Sequence, residues 1–378
     1  MDFQFLGHRI RVLGKGSYGK VHLVKIISGG LLSGHLIAEK TSEEELAETL
    51  IVEKEILDQF HGSPYIIQCY GCSSSIDYEA IVFSLFLELA SGGSLLELME
   101  DYGGQIPEEH VKCYVEMVLK GLVEIHSKGY VHCDLKPENI LVFHRGDCSD
   151  LPILKIADFG LAQVRGVKNM RKWDYGFCGT PTYMSPESIV GQIWGALDVW
   201  SLGCIVIEMI TGRPAWGNYQ GPEDMRDKLL RGQKPDMPEN MSTWGKDFLK
   251  RCFGTGPNER WTARMLLEHP FLQVQPETIL LPHEMSFTST NSADDNEEKK
   301  PTLGTTKFSD STSGNSVPTR KVQGDREEKA TLMMESILEE EFSNEYDDEL
   351  AEDIMFEALL RSRKMKIRPR HRMLLVYC

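Results

Sequence analysis

The 378-residue chain has no run of about eighteen apolar residues that could cross a bilayer, and none of its composition is biased toward positive charge. Its 41 Lys and Arg stand against 57 Asp and Glu, a formal charge of -16. The first absence predicts no membrane span. The second argues against specific or broad binding to nucleic acid or an anionic bilayer, either of which draws on Lys and Arg to neutralise phosphates. Met1 to Phe5 also lack the basic start and long apolar core of a secretory signal, so the expected compartment is the cytoplasm. Among nine cysteines, only Cys69-Tyr70-Gly71-Cys72 offers a close pair, and no second pair follows at a metal-binding spacing. Reduced thiols are therefore expected, not a zinc site.

Hydrophobic periodicity divides the first 274 residues. From Ile10 to Ile27 apolar residues alternate across Gly14, Gly16 and Gly19, which predicts two antiparallel strands joined by a glycine-rich turn. A third strand runs over Leu36-Ile37-Ala38 and ends in Lys40. Leu46, Leu50, Ile51, Ile56 and Leu57 predict an amphipathic helix over 43–60, with Glu53 on one face. Strands follow over 66–72 and 80–88. Beyond Ser91-Gly92-Gly93-Ser94 the spacing becomes helical, over 95–102, 107–128, 196–211, 222–231, 242–252 and 263–267, broken by short strands near 139–142 and 154–156. The reading is an α+β, two-lobed chain: a small antiparallel-sheet lobe before a larger, mainly helical one.

The chemistry is concentrated in three places. Gly14-Lys15-Gly16-Ser17-Tyr18-Gly19 is weak alone, since the same spacing marks dinucleotide sites and ordinary turns. Here it lies between two strands, whereas a dinucleotide fingerprint runs from strand into helix. Glycines there let backbone amides approach phosphates without a Cβ clash. Lys40 closes the third strand, where it suits the α and β phosphates of ATP, and Glu53 can hold it; Glu55, two residues on, points elsewhere on the helix. Leu13, Val21, Ala38 and Leu89 are candidate apolar walls for adenine, with Leu87 at the back and the Glu88–Ala90 backbone bonding the base. The last place is His132-Cys133-Asp134-Leu135-Lys136-Pro137-Glu138-Asn139 with Asp158-Phe159-Gly160. It supplies a candidate for each polar task in phosphoryl transfer: Asp134 for the acceptor hydroxyl, Lys136 for the transferring phosphate, Asn139 and Asp158 for Mg2+.

On these motifs residues 5–274 resemble a eukaryotic protein kinase domain. Gly179-Thr180-Pro181-Thr182-Tyr183-Met184-Ser185-Pro186-Glu187 is similar to the end of an activation segment, and Asp198-Val199-Trp200-Ser201-Leu202-Gly203 to the central large-lobe helix whose aspartate braces the catalytic loop. Arg260 resembles the late arginine that pairs with the glutamate at Glu187. Lys136 and Gly179-Thr180-Pro181 resemble serine/threonine and not tyrosine kinases, and Thr180 has a task in positioning Asp134 and Lys136. Phe86-Leu87-Glu88-Leu89-Ala90-Ser91-Gly92-Gly93-Ser94-Leu95 resembles the plant mitogen-activated protein kinase kinase kinases. That resemblance implies ATP and Mg2+ as cofactors and downstream kinase kinases as protein substrates.

Two positions depart from the pattern. Ser185 stands for an alanine, and Cys133 for the arginine that pairs with an activation-segment phosphate; a thiol offers no bidentate cation. Weak dependence on phosphorylation between Asp158 and Glu187 is expected, with Tyr175, Thr180 and Thr182 as the candidate hydroxyls. Cys133 is also the one motive for a rival reading, an ATP-binding pseudokinase scaffold. Beyond residue 274, the Ser-, Thr- and Asn-rich stretch 275–329 predicts a disordered linker. Residues 330–378 group Leu332, Met333, Ile337, Leu338, Ile354, Met355, Phe356 and Leu359 among acids, which suits amphipathic helices that bind a regulator or, equally, a solubilising tail. The basic run Arg361–Arg372 reads as a nuclear address, a contact for an acidic partner, or a counterpart to that acidic tail.

Overall fold

A computed structural model describes residues 6–16, 19–28, 32–43, 47–77, 80–144, 151–167, 179–217, 220–273 and 375–377. Strands β1 (Leu6–Gly16) and β2 (Gly19–Ser28) form the expected hairpin, paired down to Gly16 opposite Gly19. Gly19 has φ 142°, and a Cβ there would lie 1.8 Å from the Thr41 carbonyl oxygen, so only glycine lets β2 run against the next strand. Strands β3 (Leu36–Glu43), β4 (Cys69–Asp77), β5 (Ala80–Leu87) and β10 (Leu375–Tyr377) complete an antiparallel sheet in the order β1-β2-β3-β5-β4-β10. Strand alternation sends Ala38, Lys40, Leu85 and Leu87 to one face and Ile37, Glu39, Ser84 and Phe86 to the other. Helix α1 (Ala47–Leu57) packs Leu50, Ile56 and Leu57 into the same core as Leu85 and Leu87.

Three local expectations shift. The third strand does not end in Lys40 but runs on, paired with β5, to Glu43. The helix expected over 43–60 is α-helical only to Leu57, and Asp58–Phe60 tightens into a 3-10 turn before Gly62, which takes φ 82°. The strand expected over 66–72 starts at Cys69 and runs on to Asp77. Ile66 and Ile67 are fully buried, but they dock on the other lobe: Ile66 bridges Ile156 and the Ile67 N–H donates to the Ile156 carbonyl at 3.0 Å. An apolar run that looks like one strand therefore serves two lobes.

The larger lobe follows with α2 (Leu95–Asp101), α3 (Glu108–Ser127), β6 (Tyr130–Val131), β7 (Ile140–Phe143), β8 (Ile153–Ile156) and β9 (Gln163–Val164). Helices α4 (Ala196–Thr211), α5 (Pro222–Leu230), α6 (Thr243–Cys252) and α7 (Ala263–Leu267) complete it. Ser94 and Glu97 start α2 with a reciprocal capping box. Helix α4 is buried from Leu197 to Ile210 and mostly apolar on every side, as a central core helix requires, with Asp198, Ser201 and Glu208 buried among those residues and hydrogen-bonded. Gly203 lets it approach α6, since a Cβ there would lie 2.8 Å from the Phe253 ring. The paired strands β6–β9 and β7–β8 carry the catalytic loop between them; β6 and β9, two residues each, are too short to show a period in sequence. One continuous core links the lobes, from Ala38 and Leu50 to Phe271 and Leu272. Among the described residues no helix is long and apolar enough to cross a membrane, and six cysteines, the Cys69 and Cys72 pair included, form no disulfide. The linker, acidic and basic tail expectations over 275–374, and Tyr175, lie outside the described residues.

Candidate active site

The site lies where the sheet face bearing Ala38 and Lys40 meets the loops after β6 and β8. Lys40 is buried and bridges two carboxylates: its Nζ donates to Glu53 Oε2 at 2.6 Å and to Asp158 Oδ1 at 2.7 Å. Burial works to lower the Lys40 pKa, but the charges of Glu53 and Asp158 outweigh it and raise it, so the ammonium is held charged. Burial pushes Glu53 up while Lys40 opposes. Burial also acts to raise Asp158, and there the Lys40 ammonium wins and holds the carboxyl below its usual range. Glu53 makes a further link, accepting the Phe159 N–H at 3.2 Å through Oε1. Helix α1, strand β3 and the Asp158 loop are thus locked by one lysine and one glutamate. Glu53, not Glu55, faces this cluster.

The second cluster surrounds Asp134. Thr180 Oγ1 donates to Asp134 Oδ1 at 2.7 Å, Lys136 Nζ donates to Asp134 Oδ2 at 2.8 Å, and the same ammonium donates to Thr180 Oγ1 at 2.9 Å. Asn139 Nδ2 donates to the Asp134 carbonyl at 2.8 Å and to Oδ2 at 3.2 Å. With its nitrogen committed to Asp134, Asn139 has its amide oxygen for another partner. That oxygen and the Asp158 carboxylate are hard donors of the kind Mg2+ takes, so these residues fit the ion.

Behind this cluster Asp198 of α4 accepts the N–H of His132 at 2.9 Å and of Cys133 at 3.0 Å, and pairs with His126 Nε2 at 2.8 Å. Burial acts to raise the Asp198 pKa, but His126 and these donors lower it, so it stays ionised in the core. The bracing has a reason. Cys133 and Asp158 hold φ of 66° and 63°, the left-handed region that costs a side-chain-bearing residue about 1–3 kcal/mol. Farther out, Arg260 and Glu187, both fully buried, form a bidentate pair, and Arg260 also donates to the carbonyls of Gly254 and Ala196.

The nucleotide side is apolar. Ala38 and Leu87 are buried and Val21 and Leu89 half-buried against the core, whereas Leu13, at an irregularity in the β1–β2 pairing, stands at the rim with 37% of its surface exposed. A Cβ on Gly14 would meet nothing within 4 Å, so the first glycine of the turn faces open space. At the connector, the Glu88 N–H already donates to the Gln68 carbonyl, and its side chain turns to Lys155 at 2.6 and 2.7 Å. What Glu88 has for a base is therefore its carbonyl, with Ala90 next along the chain.

Sequence reasoning missed several contributors. Ala157 ties two loops: its N–H donates to the Asn139 carbonyl at 2.8 Å, and its carbonyl lies 2.9 Å from His132 Nε2. Phe159 is fully buried against His132 and Phe60, with ring centroids at 5.0 and 6.0 Å. His126 carried no signal, because its partner is 72 residues away.

Comparison with known proteins matches residues 8–272 to the family described as protein kinase domain. The chain is similar to mitogen-activated protein kinase kinase kinase 20 of Arabidopsis thaliana, 42% identical over 248 residues that cover 64% of this chain and 71% of that protein. Mitogen-activated protein kinase kinase kinase 17 of the same plant is 36% identical over 294 residues, covering 76% and 75%. The MAP kinase kinase kinase win1 of Schizosaccharomyces pombe is 32% identical over 294 residues, covering 69% of this chain but 20% of that protein.

Proposed function

Because the chain belongs to the protein kinase family, as a serine/threonine kinase related to the plant mitogen-activated protein kinase kinase kinases, we propose that its substrates are mitogen-activated protein kinase kinases, phosphorylated on Ser or Thr. The observation that carries the chemistry is the closed triangle of Asp134, Lys136 and Thr180, with Asn139 at its corner. Asp134 receives and orients the acceptor hydroxyl. As the new oxygen–phosphorus bond forms and the bond from the γ-phosphorus to the bridging oxygen breaks, Asp134 takes the hydroxyl proton and ADP departs. Lys136 offsets charge on the transferring group, and Thr180 holds both side chains in register. Lys40, fixed by Glu53, contacts the α and β phosphates, and the turn of Gly14, Gly16 and Gly19 brings backbone amides over them. Asn139 and Asp158 hold the metal. Mg2+, when bound, neutralises phosphate charge. Leu13, Val21, Ala38 and Leu87 enclose adenine, and the Glu88 and Ala90 backbone bonds its edge.

The scaffold reading has only Cys133 behind it, and the Cys133 side chain packs on Val131, Ile193 and Leu197, outside both charged clusters. We place the enzyme's action in the cytoplasm, with the 330–378 tail as a regulator-binding element and Arg361–Arg372 as a candidate nuclear address. The deciding experiment is transfer of labelled γ-phosphate from Mg-ATP by the full-length protein to plant mitogen-activated protein kinase kinases and to Ser, Thr and Tyr peptides. Labelling of activation-segment Ser or Thr that disappears with Asp134→Asn supports the proposal. ATP binding without transfer to any kinase kinase overturns it.

A further inference from the structure

In the order β1-β2-β3-β5-β4, strand β4 would be the edge of the small-lobe sheet, with a row of backbone N–H and C=O groups facing outward. The structure fills that edge. Leu375–Tyr377, near the far end of the chain, pair antiparallel with β4 as β10: Leu375 opposite Ser74, Val376 opposite Ser73, Tyr377 opposite Cys72. Ser73, in the middle of the paired stretch, is only 4% exposed.

We infer that the outer edge of β4 is a strand-docking site whose occupant is the chain's own C-terminal segment, Leu375–Tyr377, which closes the small-lobe sheet in cis. Both partners suit it. Where the strands pair, the edge reads Cys72-Ser73-Ser74, with no charge and no proline; the irregularity between Cys69 and Gly71 and the charge of Asp77 lie on either side and bound the free stretch. The segment Met373-Leu374-Leu375-Val376-Tyr377 is uncharged, apolar and rich in strand-favouring residues, and follows directly on the basic run that ends at Arg372. Main-chain pairing of this kind needs no pocket; it needs a free edge and an extended segment. Residues 274–374 give the chain ample length to return from the end of the large lobe.

The consequence falls on the active site through α1. Cys69 and Cys72 of β4 pack into the same core as Leu50, Ile56 and Leu57 of α1, the helix that carries Glu53 to Lys40. A sixth strand stiffens the sheet beneath that helix. This inference stands on strand pairing and not on the proposed substrate, so failure of one leaves the other intact.

Hydrogen–deuterium exchange resolved by peptide mass spectrometry tests it. Three samples are compared: the complete chain, a chain ending at Met373, and the complete chain with Val376→Pro, which disfavours a strand at the middle of the paired stretch without shortening the tail. The expected result is that amides over 72–74 exchange about tenfold faster or more in both variants, while those of α4 are unchanged. Equal exchange over 72–74 in all three samples overturns the inference. Protection that grows with protein concentration overturns it too, since the strand then comes from a second copy.

Discussion

Replacing Thr180 by valine keeps its volume and branching while deleting the hydroxyl that joins Asp134 to Lys136. Two contacts vanish, the 2.7 Å donation to Asp134 and the 2.9 Å donation from Lys136. Hydrogen bonds to charged groups contribute about 1.5–3 kcal/mol each. Asp134 keeps Lys136 at 2.8 Å and Asn139, so the carboxylate is not stranded, and the loss is one of aim. If the transition state feels the equivalent of one such bond, kcat falls roughly 10- to 150-fold. The nucleotide side rests on Lys40, Glu53 and the sheet, none of which touches Thr180, so KM for ATP should stay within about twofold. Unfolding should shift by no more than about 5 °C, because a half-buried methyl replaces a half-buried hydroxyl. Thr180→Ser, which retains the hydroxyl, should recover most of the rate. The assay is steady-state transfer to a protein substrate with ATP and substrate varied separately, alongside thermal unfolding. A valine variant within about threefold of the parent kcat, or a serine variant as slow as valine, would refute the role given to this hydroxyl.

Lys40→Met leaves Glu53 and Asp158 facing each other without their shared cation, and turnover should drop by about a hundredfold or more, while Glu53→Gln, which leaves Lys40 on Asp158, should lose less; equal losses would contradict the bridging role. Arg260→Met leaves Glu187 buried and unpaired, a cost of about 3–5 kcal/mol that calorimetry should register as a melting point lower by about 10 °C. Asp198 is held below its ordinary value of 3.8, so its contribution to stability is fully present above that pH and is lost as pH falls through the lower folded value. Asp198→Asn should therefore be destabilised at pH 7, with the gap to the parent closing only below about pH 4 in acid-unfolding curves. A gap that closed well above pH 4 would refute the assignment to the Asp198 carboxylate. Phosphatase treatment should leave kcat within about threefold, since Cys133 lies among Val131, Ile193 and Leu197 and has no cation to give a phosphate; a tenfold loss would show another residue doing that work.

Much of this protein was determined locally, and so was legible in the chain. Alternation across Gly14 to Gly19, the lysine on β3 and the run from His132 to Asn139 each place their groups within a few residues, where strand period and turn chemistry decide geometry. Tertiary structure decided what lies between distant segments. Ile66 and Ile67 look like the start of a strand until β8 claims them for the other lobe. Asp198 could be read as a brace, but His126 as its partner, Phe159 on Glu53 and Ala157 as a backbone link arise only when helices and loops far apart in sequence pack together. The pairing of β10 with β4 is the extreme case, joining residues about 300 apart: the sequence marks each segment as fit for a strand but does not say which strand it joins. Local pattern reports which face is apolar; it cannot report which other apolar face, or which free edge, will cover it.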